Sequence, residues 1–398
     1  MPRIAFFSFP AQGHVNPTLP VVGELVRRGE TVAYFATSRF RAAVEDCGAT
    51  FVAYPGALEL PEEDPGPFDR IITTLDALLN MSSAVLDEQL GQVRELRPAL
   101  IVHDSFSPWG KFVAERLEIP AAVSVPSILV NQEIVTKYGA NPESDAGLTR
   151  EWFERVDSLC SAFAARYRVA KLAPDQWLQV YGDLNLVYTS RLFQPRAEMF
   201  DSERFRFVGA SIGRRSSEPP FPFERLGGER LIYISLGTIY GDRDRFFTKC
   251  LEALQDGPWK VVMAVGRKFR AAEPIPSNFI IEAYVPQVEI LQRAAVFVTH
   301  GGMNSVTEAL YFNVPLIAVP QGADQFWIAA RTAELGAAIV RERDASPGDL
   351  RESVERVLGD PRYSRAAARI GESLRRAGGY PKAAGEIIAF QRARCPEW

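Results

Sequence analysis

The sequence predicts an α/β protein with two doubly wound, parallel-sheet domains. Residues 4–9 form a short apolar run, a helical pattern follows Pro17, and residues 31–36 form a second apolar run. Strand, helix and strand in this order make a βαβ unit, whose crossover implies a parallel sheet. The pattern begins again after residue 222, and the 398 residues are enough for two domains of about 150 residues or more.

The first helix carries signals for its start and its end. Asn16 is predicted to cap the N-terminus, and Pro17 takes the first helical position, where its missing N–H costs nothing. Apolar residues then repeat at helical spacing as far as Gly29, which can end the helix. Residues 10–15, between the first strand and this helix, are predicted to be a loop.

Further apolar runs place the other strands. They cover residues 99–102, 121–125 and 184–189 in the first half, and residues 231–235, 259–265, 279–284, 296–299 and 316–319 in the second. Residues 57–97 and 130–180 are predicted to be mostly helical or irregular and carry scattered aromatic side chains. The stretch 213–222 is rich in Pro and Ser and has no periodicity, which predicts a linker.

Composition narrows the classes of function. Hydrophobic residues make up 47% and charged residues 24%, with a net charge of −4, so there is no basic field to hold nucleic acid or an anionic membrane. No apolar run reaches the roughly 18 residues that span a bilayer. The four cysteines are scattered singly and there are three histidines, which indicates neither a zinc site nor a disulfide framework. We therefore expect a cytoplasmic protein without membrane insertion.

The densest chemical signal follows the predicted strand 296–299. His300, Gly301 and Gly302 come directly after it, and a helix is predicted to begin near Asn304 and Ser305. Paired glycines allow a close backbone approach, and the N-terminus of a helix suits a diphosphate because its N–H groups and dipole favour negative charge. The pattern predicts a phosphate site, although a Gly-Gly turn alone would be weak evidence.

Neighbouring residues suit the other parts of a nucleotide. Glu308 lies four residues beyond Asn304, on the same helix face, where a carboxylate can accept from two ribose hydroxyls. The Tyr284 ring can stack on a base, and the Gln287 amide can bond to its edge. Together these residues predict a nucleotide site in the second half of the chain.

At these positions the chain resembles the UDP-glycosyltransferases, inverting nucleotide-sugar transferases with a GT-B fold, and most of all their bacterial macrolide-glycosyltransferase branch. The resemblance covers nearly the whole chain and rests on five motifs: Gly13-His14-Val15-Asn16-Pro17, Ser235-Leu236-Gly237-Thr238, Val285-Pro286-Gln287, His300-Gly301-Gly302-Met303-Asn304-Ser305, and Asp324-Gln325.

The resemblance implies an architecture of two facing Rossmann-like domains, with the active site in the cleft between them. Residues 1–215 would form the acceptor-binding domain and residues 222–377 the nucleotide-sugar-binding domain. A terminal helix within residues 378–398 would cross back to the first domain.

The resemblance also assigns the donor-binding residues. Tyr284, where many relatives have Trp, would stack on the uracil, and Gln287 would contact the base or ribose, with Glu308 on the ribose. The diphosphate would be held by Ser235, Thr238, His300, Asn304 and Ser305, and hydroxyls of the sugar by Asp324 and Gln325. Gly237, Val285 and Gly302 complete this donor-binding set.

His14 is the candidate general base. An imidazole with a pKa near neutrality suits removal of a proton from an attacking hydroxyl, and the match from Gly13 to Pro17 supports the assignment. In the family an aspartate in the place of Asp104 bonds to this histidine and orients it, as the acid of a triad does. The alternative is that Asp104 only caps the turn after its strand. His103 is adjacent, points to the opposite face and is predicted to be structural.

The residues do not predict a metal site. Gly241-Asp242-Arg243-Asp244 contains an Asp-x-Asp pattern, but Asp244 is better explained as lying near a helix start. In a metal-independent transferase the helix dipole and hydrogen bonds stabilise the leaving diphosphate. We therefore expect no cofactor beyond the UDP-sugar co-substrate.

The predicted reaction is inverting transfer of a sugar, glucose in the first instance, from a UDP-sugar to a hydroxyl of a hydrophobic natural product such as a flavonoid, macrolide or other polyketide. The segments 57–97 and 130–180 are expected to line an apolar acceptor site with aromatic and aliphatic side chains, among them Phe68, Trp152, Phe153, Phe163, Tyr167 and Trp177. A monomer or homodimer is expected. Other readings remain open at this point: a dedicated tailoring enzyme using a TDP-deoxysugar, a GT-B epimerase, a lipid-linked sugar transferase, or a nucleotide-sugar-binding protein without catalysis.

Overall fold

Two parallel β-sheets organise the chain. The structure, a computed structural model, describes residues 4–55, 67–130, 150–177, 179–213, 219–237, 243–271, 274–322 and 324–395. Its strands are β1 Ile4–Phe7, β2 Val32–Ala36, β3 Thr50–Ala53, β4 Leu100–Asp104, β5 Ala121–Val125, β6 Leu184–Val187, β7 Phe205–Phe207, β8 Arg230–Ser235, β9 Trp259–Ala264, β10 Phe279–Glu282, β11 Ala294–Thr299, β12 Leu316–Ala318 and β13 Ala338–Val340.

Helices connect the strands, as the βαβ prediction requires. In chain order they are α1 Gln12–Val15, α2 Thr18–Arg27, α3 Arg41–Asp46, α4 Pro67–Ala84, α5 Leu90–Leu96, α6 Pro108–Leu117, α7 Arg150–Tyr167, α8 Arg243–Leu254, α9 Gln287–Leu291, α10 Met303–Tyr311, α11 Gln325–Glu334, α12 Pro347–Gly359, α13 Pro361–Arg376 and α14 Gly379–Arg394. A π-helical turn at Val85–Gln89 joins α4 to α5.

The strand order defines a switch point in each sheet. The first sheet has the order β3-β2-β1-β4-β5-β6-β7 and the second β10-β9-β8-β11-β12-β13. In each sheet the chain proceeds to one side of its first strand and then returns to the other, so the order reverses between β1 and β4 and between β8 and β11. Ligands of doubly wound proteins bind outside the carboxyl ends of the strands at this point.

The two faces of the first sheet are both covered. Phe7 and Phe35 face one apolar cluster, while Phe6 and Tyr34 face another, so successive residues of β1 and β2 enter opposite cores. A strand buried on both faces reads as a continuous apolar run, because neither face tolerates polar side chains. This confirms the interpretation of the N-terminal sequence.

The chain divides into two compact units. One comprises residues 1–188, 196–214 and 377–398, and the other residues 189–195 and 215–376. The terminal helix α14 belongs to the first unit, where Ala383, Ala384 and Ile387 join the core beside α2. The units follow the parallel sheets, which are the two sheets of the predicted α/β architecture.

A short segment of the chain lies on the other side of the predicted domain boundary. Residues 189–195, which the sequence analysis placed in the first domain, belong to the second unit. The Arg331 guanidinium donates to the carbonyls of Leu192 and Phe193, both at 2.9 Å, and the hydroxyls of Ser190 and Ser373 lie 2.7 Å apart. These polar contacts hold the segment, and nothing in its sequence pattern indicates them.

The prediction that Asn16 caps the first helix is wrong. Residues 12–15, expected to be a loop, form α1, and Asn16 continues it in right-handed helical geometry. The next helix begins at Thr18, directly after Pro17, and the Thr18 hydroxyl donates to the Val15 carbonyl at 2.7 Å. The helical turn before the proline satisfies the backbone locally, so the Asn16 side chain is not needed as a cap.

Three strands escaped the sequence analysis, namely β3, β7 and β13. They contain four, three and three residues, and each carries polar or partly exposed positions. Several predicted strands also end earlier than expected, at Phe7, Val187 and Glu282. Short outer strands are weakly patterned because only part of each is buried.

Within the part of the chain that the structure describes, no helix is long and apolar enough to cross a membrane.

The packing of α6 on β4 generates a test of the fold. A Cβ atom at Gly110 would lie 2.4 Å from the His103 Cβ and 3.1 Å from the Phe7 Cβ. We expect Gly110→Ala to destabilise the protein by about 1–3 kcal/mol, because neither backbone can move aside. Gly91→Ala in α5 is the matched control. Its added methyl group meets open space, and alanine is more favourable than glycine in a helix by about 1 kcal/mol, so this variant should not be destabilised. Urea-unfolding midpoints measure both changes, and a wild-type midpoint for Gly110→Ala would contradict this account.

Candidate active site

The candidate base and its partner lie at the switch point of the first sheet. His14 belongs to α1, which follows β1, and Asp104 is the last residue of β4, the strand paired with β1. The His14 Nδ1 atom lies 3.0 Å from each carboxylate oxygen of Asp104. The structure therefore brings together the two residues that the sequence analysis assigned to one pair.

Asp104 is held by the turn that follows it as well as by the histidine. Its side chain is fully buried, and the backbone N–H of Phe106 donates to its Oδ1 at 2.8 Å. The same carboxylate thus caps the turn and bonds to His14, so the two interpretations offered for it are compatible. Because an ionised carboxylate only accepts, Nδ1 donates, and in the neutral ring Nε2 then carries no proton.

Aromatic rings flank the imidazole. The ring centroid of His14 lies 4.8 Å from that of Phe9 and 5.2 Å from that of Phe106, the latter in an edge-on arrangement. The His14 side chain is 19% exposed, so a ligand can reach the ring although its orientation is fixed. Such contacts restrict the ring to the rotamer in which Nδ1 meets Asp104.

His103 occupies a different environment from His14. It is buried, on the opposite face of β4, and packs against Gly110 of α6. Burial lowers the pKa of His103 to about 4, so the ring is neutral at pH 7. This placement agrees with the structural role that the sequence analysis gave it.

Several predicted donor-binding residues meet at the switch point of the second sheet. Ser235 ends β8 and pairs with Thr299, the last residue of β11, and His300 follows. Gly237 has a φ of 72°, which favours glycine, and a Cβ at this position would lie 2.8 Å from the His300 ring. A Cβ at Gly302 would lie 2.5 Å from His300 Nε2. Both glycines therefore make room for the imidazole.

His300 is a neutral group in this setting. Burial lowers its pKa to about 4, against an opposing hydrogen bond with the Ser235 backbone. At pH 7 its ring can contribute an N–H donor to an anion but no positive charge. The positive end of a helix dipole is a second feature that favours negative charge at such a position.

The helix α10 supplies such a dipole. It begins at Met303, one residue before the predicted start, with Gly302 as an N-cap that has no side chain to occupy the first-turn N–H groups. Asn304 and Ser305 lie in this first turn, as predicted. A helix N-terminus without a side-chain cap and without acidic residues in its first turn can receive an anion.

Glu308 and Gln287 are in direct contact. The Gln287 Nε2 atom donates to Glu308 Oε2 at 2.7 Å, and the hydroxyl of Tyr233 donates to Gln287 Oε1 at 3.1 Å. Glu308 is 4% exposed and lies one turn into α10. The structure therefore uses the Gln287 amide to hold a carboxylate, a contact that the sequence analysis did not foresee when it directed Gln287 to the base or ribose.

Tyr284 presents an open ring. It follows β10, is 51% exposed, and has the Arg267 guanidinium 5.9 Å from its centroid, while the adjacent Val285 is buried. An exposed aromatic ring beside a cation can stack with a base. Its position is compatible with the predicted role, which remains a prediction.

Asp324 and Gln325 begin α11. The backbone carbonyl of Gln325 would lie 3.4 Å from a Cβ at Gly301, so the start of this helix adjoins the glycine turn. The Gln325 Oε1 atom accepts from the backbone N–H groups of Gln321 and Gly322, at 2.8 and 3.3 Å. The amide oxygen thus shapes the preceding loop, and its Nε2 is the group that can donate to a sugar.

Part of the predicted site lies outside the described residues, namely Thr238 and Asp242. Asp244 lies in the first turn of α8, which confirms its expected place near a helix start. Among the residues described, no group of three or more His, Cys, Asp or Glu side chains is arranged to hold a metal ion.

The aromatic residues expected to line the acceptor pocket have a different location. Phe163 and Trp177 are buried in the core of the first unit, where they pack on Phe112. Phe68, Trp152 and Phe153 have no described side-chain positions. The apolar surroundings of His14 come instead from Phe9 and Phe106, which follow β1 and β4.

Sequence reasoning missed Tyr233 and Phe106. Tyr233 lies in the middle of an apolar strand, where only its hydroxyl distinguishes it from a core phenylalanine. Phe106 follows Asp104 by two residues, and its backbone N–H acts on the carboxylate, so no side-chain motif signals it.

Comparison with known proteins relates the chain to a family. The model of the C-terminal domain of erythromycin biosynthesis protein CIII-like proteins matches residues 249–383. The chain is 33% identical to the uncharacterized UDP-glucosyltransferase YojK of Bacillus subtilis, over 98% of this chain and 97% of that protein. It is 31% identical to the oleandomycin glycosyltransferase of Streptomyces antibioticus, over 98% and 91% of the two chains.

A solved structure agrees over the whole chain. The calicheamicin glycosyltransferase CalG4 superposes with a TM-score of 0.83 at 29% identity and covers 99% of each chain. The family match, the full-length relatives and the two parallel-sheet units support one assignment. The chain belongs to the UDP-glycosyltransferase family, as a macrolide-type glycosyltransferase with the GT-B fold.

Proposed function

We propose that this glycosyltransferase transfers a hexose, glucose in the first instance, from a UDP-sugar to a hydroxyl group of a hydrophobic natural product, with inversion at the anomeric carbon. The observation that carries the proposal is the hydrogen bond between His14 Nδ1 and the buried Asp104 carboxylate. A histidine held in this tautomer is suited to accept a proton at Nε2.

The proposed first event is deprotonation of the acceptor. As the acceptor oxygen attacks the anomeric carbon, its proton passes to His14 Nε2, and the resulting imidazolium is stabilised by the negative charge of Asp104. The bond from the anomeric carbon to the diphosphate oxygen breaks as the new glycosidic bond forms. A single displacement of this kind turns an α-linked donor into a β-glycoside.

The leaving diphosphate is assigned to the second unit. There the first-turn N–H groups of α10 supply the positive end of a helix dipole, with Asn304 and Ser305 in the same turn. The neutral His300 and the Ser235 hydroxyl add hydrogen-bond donors. We propose that these groups stabilise the departing charge without a metal ion.

The donor and acceptor classes draw on relatives and on local chemistry. One relative is named a UDP-glucosyltransferase, which supports UDP-glucose as the first donor to test. Others are named oleandomycin and calicheamicin glycosyltransferases, which supports complex natural products as acceptors. The rings of Phe9 and Phe106 beside His14 favour an apolar acceptor surface.

Substitutions of the His14–Asp104 pair test the base. We expect His14→Ala to lower kcat by about 10²–10⁴, because general-base catalysis contributes this much, while UDP binding persists. Asp104→Asn should lower kcat by less than His14→Ala does, because the base remains while its orientation and the stabilisation of its positive charge are weakened. Steady-state kinetics with UDP-glucose and a phenolic acceptor, with UDP affinity as the control, measure both variants. Undiminished turnover in His14→Ala would overturn the assignment.

Chelation tests the metal-free leaving-group site. Transfer should continue at its full rate in excess EDTA, because the N-terminus of α10 and neighbouring hydrogen-bond donors are proposed to stabilise the diphosphate. The measurement is initial velocity with and without EDTA, and then with added Mg²⁺ or Mn²⁺. Loss of activity that is restored by either ion would contradict the proposal and direct attention to the acidic segment around Asp242.

An acceptor panel tests how selection is achieved. An apolar acceptor surface selects by buried area and shape, and one methylene contributes only about 1–3 kcal/mol. We therefore expect kcat/KM values for unrelated phenolic and macrolide acceptors, measured with one donor, to lie within about 10⁴ of each other. A larger drop outside one scaffold would show that buried polar groups select the acceptor, as in a dedicated tailoring enzyme.

A further inference from the structure

A buried tyrosine stands behind the residue assigned to the ribose. Tyr233 lies in β8, two positions before Ser235, and is 1% exposed. Its ring stacks on Phe297 of β11 with centroids 4.6 Å apart and planes at 10°. This packing fixes the ring, and with it the direction of the hydroxyl group.

The hydroxyl begins a directed chain of hydrogen bonds. It donates to Gln287 Oε1 at 3.1 Å, and Gln287 Nε2 donates to Glu308 Oε2 at 2.7 Å. The direction is set by the carboxylate, which only accepts when ionised, so the NH₂ end of the amide must face Glu308. The amide oxygen is then left for the tyrosine, whose hydroxyl can donate to it.

The chain constrains the Glu308 carboxylate. One of its oxygens is fixed by the amide, and a bond to a charged acceptor is stronger than one between neutral groups. Without the Tyr233 hydroxyl the amide loses the partner that holds its oxygen end, and rotation by 180° would turn that oxygen toward Glu308. The carboxylate would then lose this hydrogen bond, which helps to fix its orientation.

We propose that Tyr233 is a positioning residue, which through Gln287 aims Glu308 at the ribose and thereby sets a preference for ribonucleotide over 2′-deoxyribonucleotide donors. The inference rests on the proposed function, in which Glu308 accepts from the ribose hydroxyls. It adds a residue and a selectivity to that site.

The expected selectivity follows from the burial of the carboxylate. A site built to bond a hydroxyl discriminates strongly against an analogue that lacks it, because the buried polar group is left unpaired. Glu308 is nearly inaccessible, so the loss of the 2′-hydroxyl cannot be fully repaired by water. A loosened carboxylate would bind both nucleotides more alike.

The closing experiment compares UDP with 2′-deoxy-UDP by calorimetry. The wild type should bind UDP at least tenfold more tightly than 2′-deoxy-UDP. In Tyr233→Phe, which keeps the stacked ring, this ratio should fall at least threefold, mainly through weaker binding of UDP. Tyr311→Phe is the control: it removes a hydroxyl at the C-terminal end of α10, the helix that carries Glu308, and should leave the ratio unchanged. An unchanged ratio in Tyr233→Phe, or no preference in the wild type, overturns the inference.

A double-mutant cycle separates a relay from a general packing effect. Gln287→Ala should also lower the ratio, and adding Tyr233→Phe to it should change UDP affinity by less than twofold, because the tyrosine then has no amide to act through. Additive losses would contradict the relay. If Tyr233→Phe did not fold, a wild-type ratio in Gln287→Ala would overturn the inference by itself.

Kinetics distinguish this inference from the proposed function. With UDP-glucose and 2′-deoxy-UDP-glucose as donors, Tyr233→Phe should raise KM for UDP-glucose and leave kcat within twofold, since the reacting atoms are untouched. A wild type that binds UDP with the expected preference but transfers no sugar would refute the proposed function alone. Transfer by the wild type with the same donor ratio in Tyr233→Phe would refute the relay alone.

Discussion

Parallel strands buried on both faces constrain where this protein can carry chemistry. Along β1 and β2, successive side chains enter two different apolar cores, so a polar group in mid-strand would need its own buried partner. The ends of the strands escape this restriction. Asp104 ends β4, Ser235 ends β8, and His300 follows β11. Both groups of candidate functional residues therefore lie at carboxyl ends, beside the switch points.

Glycine at close approaches is the second constraint, and it serves structure and site alike. In the first unit, Gly110 lets α6 rest directly on His103. In the second, Gly237 and Gly302 leave space for the His300 ring. A side chain at Gly110 would overlap His103, and one at either of the other two glycines would overlap His300, unless the histidine moved. The paired glycines in the sequence are thus explained by the neighbour they accommodate as well as by backbone freedom.

The sequence predicted the fold class and placed His14, Asp104 and the segment from Ser235 to Gln325 at the ends of strands, because long buried strands and polar residues at their ends leave clear patterns. The contact between His14 and Asp104 was predicted from the family resemblance and not from these patterns. The sequence predicted less where tertiary contacts decide. The short strands β3, β7 and β13 carry too few buried positions to be visible, and Asn16 looked like a cap because α1 could not be foreseen. Phe163 and Trp177 were expected in a pocket but pack in the core, since aromatic content does not distinguish the two locations.

Each unit holds one buried carboxylate among its candidate functional residues, and the two carboxylates differ in the partners that orient them. Asp104 bonds to His14, a titratable group, so a proton gained by the ring creates an ion pair in place. Glu308 bonds to the amide of Gln287, which cannot change its charge at any accessible pH. The first arrangement responds to the movement of a proton, whereas in the second the partner of the carboxylate stays uncharged and only donates a hydrogen bond. On the proposed function the two arrangements meet different requirements. The base must gain and lose a proton in every catalytic cycle, whereas the Glu308 carboxylate only has to bind hydroxyl groups.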